Sequence, residues 1–117
     1  LIMEQTWAYP TQRFGGFGDF ATFTRLLEEG ANAMAAQNGA DVSPIGKAFE
    51  TVYNENKGIR LFDIDNKHQS HYGTYLKACV NYLMIMGEAF KGEVADCGIE
   101  PEKAEYLRSV AERTVLK

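Results

Sequence analysis

Leu1-Ile2-Met3-Glu4-Gln5-Thr6-Trp7-Ala8-Tyr9 is the stretch on which the fold class turns. Ile2, Thr6, Trp7 and Tyr9 suit a pleated, partly buried surface, and Pro10 closes the run, so residues 1–9 read as a strand. Thr11 to Gly18 is then a loop whose Phe14 and Phe17 fold beneath its glycines. Asp19 stands where an N-cap belongs. Beyond it Phe23, Leu27, Ala31 and Met34 recur at helical spacing until Asn38-Gly39 stops them, which predicts an amphipathic helix over 19–38. Ala40-Asp41-Val42-Ser43-Pro44-Ile45-Gly46 occupies the place of a second strand, although Pro44 keeps it from a central ladder position. Strand, helix, strand in this order is a βαβ unit, and a right-handed crossover makes its strands parallel.

Lys47 to Glu55 carries Ala48, Phe49 and Val52 as a brief helix ended by Lys57-Gly58. Residues 59–70 have no sustained period. Ser70 can cap a helix over 71–86, with Tyr72, Leu76, Val80 and Leu83 as one apolar stripe and Tyr75, Cys79, Tyr82 and Met86 as its neighbour. Pro101 suits a first helical position and opens a last helix over 101–115. Two short strands cannot make a parallel sheet covered on both faces. The expected partner is therefore either the missing amino-terminal half of the domain or a second copy, through self-association.

The chain has 117 residues, 45% hydrophobic and 24% charged, which suits one globular unit and excludes a disordered chain. Twelve basic against sixteen acidic residues leave a net charge of −4, which repels phosphate backbones and anionic lipid, so no nucleic acid is expected as a partner. The apolar uncharged run Ala78 to Met86 is about half the length of a spanning helix, so no membrane is expected either. The chain opens without a basic segment, a long apolar segment or an initiator Met, which suggests a mature or cut product of a longer chain. An exported and a cytoplasmic location both remain open. Cys79 and Cys97 make no disulfide framework, and Cys79 falls on an apolar helix face as a small hydrophobe.

Reactive groups concentrate in Leu61-Phe62-Asp63-Ile64-Asp65-Asn66-Lys67-His68-Gln69-Ser70-His71. Three readings compete. In one, Asp65 accepts the imidazole N–H of His68 across a tight turn and fixes its tautomer, leaving the other nitrogen to deprotonate a hydroxyl nucleophile. In the second, Asp63, Asp65, His68 and His71 ligate a metal, although their spacing matches none of the strong metal motifs. In the third, these are solvated loop residues ahead of a helix cap.

Asp65-x-x-His68-x-Ser70-x-x-Gly73-x-Tyr75-Leu76-x-Ala78 resembles the last conserved block of the SGNH hydrolases, the GDSL-type esterase superfamily. Leu1 to Tyr9 resembles a late strand of a bacterial branch of that superfamily, and Val42 to Phe49 resembles the strand and helix start that follow. The resemblance implies an α/β fold: a three-layer α/β/α domain with a parallel sheet in flavodoxin-like topology, of which this chain holds only the carboxyl-terminal part. It implies His68 as general base, Asp65 as its orienting carboxylate, and Trp7 and Tyr9 as substrate-binding residues at a strand's carboxyl end, with an ester substrate, no cofactor and no metal. Gly73 would let its helix lie against neighbouring backbone.

The superfamily's Gly-Asp-Ser nucleophile block and Gly-x-Asn-Asp block are absent from these 117 residues; Gly18-Asp19-Phe20 has Phe where Ser is needed. Ser43, Ser70 and Ser109 are the only serines, and strand, cap and helix surface account for them. The expectation is a carboxyl-terminal segment of a serine ester hydrolase, acting on a carbohydrate or small-molecule ester and inert alone. The alternative is a noncatalytic interaction or dimerisation module on a degenerate hydrolase scaffold.

Overall fold

The computed structural model describes residues 1–9, 19–63 and 68–116. Its elements run β1 (Ile2–Glu4), α1 (Phe20–Asn38), β2 (Asp41–Ser43), α2 (Ile45–Glu55), α3 (His71–Met86) and α4 (Pro101–Val115). β1 and β2 pair in parallel with Ile2 opposite Asp41, Met3 opposite Val42 and Glu4 opposite Ser43, so the first third of the chain is a βαβ unit. The protein is α-rich α/β with a two-stranded parallel sheet among the described residues.

Both strands are shorter than their sequences suggest. Pro44, with no N–H to give, ends β2 and takes the N-cap position of α2, so the helix starts at Ile45 rather than Lys47. β1 loses its partner at the same level. The Gln5 N–H donates to the Ser43 carbonyl at 2.9 Å, and the Gln5 carbonyl then accepts from the Gly46 N–H in α2. Gly46 permits this close passage, since a Cβ there would meet the Thr6 carbonyl oxygen and lie 2.9 Å from Gln5 Nε2. Trp7 to Tyr9 continue outside the strand and pack by their rings.

Helix ends follow local chemistry. Asp19 Oδ1 accepts from the Thr22 N–H at 2.8 Å, which holds its carboxyl below the usual range, and left-handed Gly39 closes α1. Ser70 caps α3 through the Gly73 N–H and left-handed Gly87 ends it. Left-handed Asn56, one residue ahead of the expected Lys57-Gly58 stop, ends α2. Pro101 opens α4.

α1 packs against both strands, and α3 reaches β2, where Ser43 Oγ donates to Asn81 Oδ1 at 2.6 Å. The core sits among α2, α3 and α4: Ile45, Phe49, Val52, Leu76, Val80, Leu83, Leu107 and Val110 are almost wholly buried. Each such side chain contributes roughly 1.5–3 kcal/mol of transfer free energy. The second α3 stripe splits: Tyr75 and Cys79 are buried, whereas Tyr82 and Met86 are exposed and Tyr82 stacks on Phe90 at 5.0 Å. α4 is fixed by Arg113, which pairs with Glu55 at 2.9 Å, and by Arg108, whose Nη1 donates to Tyr75 Oη and to Asp96 at 2.8 and 3.0 Å.

Candidate active-site loop

Leu61 and Phe62 are buried and tie the segment after α2 into the core, with the Phe62 ring edge-on to Phe49 at 6.0 Å and to Phe20 at 6.4 Å. Asp63, next along the chain, is exposed. The chain returns antiparallel: Phe62 bridges Gln69, the Asp63 N–H donates to the His68 carbonyl at 2.7 Å, and the Ser70 N–H donates to the Leu61 carbonyl at 2.7 Å. Asp65 lies outside the described residues, as do 10–18 with Phe14 and Phe17. The predicted Asp65–His68 contact therefore falls outside them too. His68 is described; it is exposed, at the end of the returning arm and two residues ahead of the α3 cap.

Arg60 pins the outgoing arm. Its Nε donates to the Phe62 carbonyl at 2.9 Å and its Nη2 to the Asp63 carbonyl at 3.0 Å, while Ser70 Oγ donates to the Arg60 carbonyl at 2.6 Å. Ser70 Oγ also accepts from the Gly73 N–H at 3.2 Å, so one hydroxyl joins both arms to the first turn of α3. Gly73 makes the seating possible: a Cβ there would stand 2.5 Å from the Leu61 carbonyl oxygen and 3.2 Å from the Phe49 ring. Tight packing at Gly73 is thus present in the structure.

Phe49 joins the loop to the end of β1. Trp7, half-buried, stacks on it at 5.3 Å and 19°, and Lys77 Nζ lies 5.7 Å from the Trp7 ring centroid. Tyr9, also half-buried, meets Phe23 edge-on at 5.1 Å. Both predicted substrate-binding residues are therefore on the carboxyl side of β1, and Trp7 shares its stacking partner with Phe62 of the loop arm. Beside that arm a hollow of about 580 Å³ is lined by Tyr53, Asn56, Ile59, Arg60 and Phe62 among others. Neither Arg60 nor this hollow was singled out from the sequence. Asn56 and Gly58 mark a turn there, but the carbonyls that hold Arg60 converge only on folding.

His71 leaves the loop group. Its Nε2 is 2.7 Å from the Cys97 carbonyl, a contact that requires the proton on Nε2 and ties the start of α3 to the turn before α4. Among the described residues no group of three His, Cys, Asp or Glu side chains is placed to hold a metal ion. No described helix is long and apolar enough to cross a membrane. All three serine hydroxyls are engaged: Ser43 on Asn81, Ser70 on Arg60, and Ser109 on the Tyr106 carbonyl at 2.7 Å. Cys79 is buried, which pushes its thiol up to about 12, while Cys97 is exposed, and both are free.

No family model and no curated protein matches the sequence. Among solved structures, the chain superposes on a DUF4886 family protein from Bacteroides uniformis ATCC 8492 with a TM-score of 0.84 at 20% identity. The match covers 98% of this chain and 47% of that one. The chain thus shares its fold with rather less than half of that protein.

Proposed function

We propose that these residues are the carboxyl-terminal part of a serine ester hydrolase of SGNH type, with a three-layer α/β/α domain completed by polypeptide outside them. His68 acts as general base and Asp65 orients it; the nucleophile and its oxyanion donors come from elsewhere in the domain. The observation that carries this reading is the pinned loop. Two backbone bonds, the Arg60 clamp and the Ser70 cap hold the arm bearing His68 against the core, with His68 itself exposed. A general base needs such support, because a displaced imidazole loses its proton-transfer geometry. The engagement of Ser43, Ser70 and Ser109 in structural hydrogen bonds supports a serine supplied from outside.

In the reaction, His68 removes the proton of the incoming hydroxyl as it attacks the ester carbonyl, and the imidazolium then protonates the departing alcohol. Water repeats the sequence to release the acid. Trp7, stacked on Phe49 beside the loop, supplies an apolar wall for the ester. The test is hydrolysis of 4-nitrophenyl acetate and butyrate by these 117 residues and by a polypeptide that also carries the Gly-Asp-Ser block. Turnover is expected only from the longer one, and robust hydrolysis by the shorter one contradicts the proposal.

A further inference from the structure

Asn38-Gly39 is the one place in the chain where glycine follows asparagine, and it falls at the junction of α1 and β2. A glycine has no side chain to shield its amide nitrogen, which therefore reaches the carboxamide of a preceding asparagine most easily. The other asparagines precede Ala33, Glu55, Lys57, Lys67 and Tyr82.

Hydrogen bonds hold the two reacting groups apart in the folded chain. Asn38, the last residue of α1, donates from Nδ2 to the Met34 carbonyl at 2.8 Å, which draws its carboxamide back along the helix and away from Gly39. The N–H of Gly39, left-handed at φ 63°, donates to the Ala35 carbonyl, and the Ala40 N–H donates to the same oxygen at 2.9 Å. The nitrogen that would attack is thus tied into the cap, and the carbon it would attack is turned toward the preceding turn. Of residues 35–39 Ala35 alone is buried, and Ala36, Gln37, Asn38 and Gly39 are exposed. Little apolar contact therefore opposes fraying of this turn.

We propose that Asn38 is a site of succinimide-forming deamidation, held dormant by the α1 cap and released when the last turn of α1 frays. Once the turn opens, Gly39 N gives up its proton to solvent base and its electron pair attacks Asn38 Cγ. The N–Cγ bond forms, the Cγ–Nδ2 bond breaks, and Nδ2 leaves as ammonia. Water then opens the ring at either carbonyl, giving aspartate or, with an extra methylene in the main chain, isoaspartate. Both products weaken this junction. A carboxylate at position 38 stands at the negative end of the α1 dipole and has no proton to donate to Met34. Isoaspartate lengthens the link to Ala40 and Asp41, whose N–H groups bond the Ala35 and Leu1 carbonyls, and so disturbs the register that sets Ile2 opposite Asp41. The modification loosens the pairing of β1 with β2.

The test is incubation of the protein at pH 8, folded and in guanidinium chloride, followed by trypsin digestion. Conversion is read as a mass gain of about 1 Da on the peptide from Leu26 to Lys47, whose fragment spectra separate Asn38 from Asn32. At Asn38 it should run about tenfold or more slower in the folded protein than in denaturant. Ala36→Gly loosens the last turn and should speed the folded reaction about fivefold, whereas Ala89→Gly, exposed and outside the helices, should leave it unchanged. The converted protein should have a lower Tm than the unconverted one. Equal rates folded and denatured, a folded rate indifferent to Ala36→Gly, conversion in denaturant mainly at another asparagine, or an unchanged Tm after conversion would each overturn the proposal.

Discussion

Gly73 is the residue at which the loop's seating can be tested without touching its chemistry. Gly73→Ala would force a methyl to 2.5 Å from the Leu61 carbonyl, so helix and arm must part. Urea denaturation should show a loss of about 1–3 kcal/mol, the usual cost of overpacking, despite alanine's better helix propensity; an unchanged midpoint would mean that the arm seats differently. The two cysteines should separate equally clearly. Burial raises the Cys79 thiol to about 12, so iodoacetamide at pH 8 should modify Cys97 in the folded protein and Cys79 only after unfolding. Thr24 is buried with no hydrogen-bond partner for its hydroxyl among the described residues, and Thr24→Val should be neutral or stabilise by roughly 1 kcal/mol in the same denaturation experiment. At this scale Ser70 and Gly73 were legible, because a cap and a close approach leave a mark in residue type. Arg60 was not, because its partners are backbone carbonyls that no side-chain identity announces.

Among the elements, helix boundaries were legible where a residue enforces them: Asp19 and Gly39 around α1, Ser70 before α3, and Pro101 before α4. Strand lengths were not, since a strand ends where its neighbour does. Pro44 removes β2 after Ser43, and β1 stops at the same level although Trp7 and Tyr9 suit a strand. The docking of α4 onto α2 carries a pH signature. Arg113 first, then Tyr106, hydrogen-bond the Glu55 carboxylate and lower its pKa from 4.5 to about 2. A lowered carboxyl stabilises the fold above its unfolded value and loses that contribution as pH falls from about 4.5 through about 2. The pair is partly exposed, so solvent screening limits the effect to about 1 kcal/mol or less. Thermal melts of wild type and Glu55→Gln should therefore differ at pH 6 and converge toward pH 2; a constant gap across that range would assign the difference to packing.

At the scale of the whole molecule, a helical core carries a sheet of two three-residue strands, with Trp7, Phe49 and Phe62 linking the end of β1 to the arm that presents His68. The parallel βαβ unit could be read from element order alone. The position of the core among α2, α3 and α4 could not, because helical periodicity shows which face is buried and not what buries it. The central claim is that His68 serves as the base of a triad completed from outside these residues. It is tested most directly by kcat for 4-nitrophenyl butyrate in the longer polypeptide, measured for wild type and His68→Ala under identical conditions. The account predicts a loss of about a thousandfold or more with an unchanged Tm, as loss of a triad base produces. A variant that keeps at least about a tenth of wild-type kcat would contradict it.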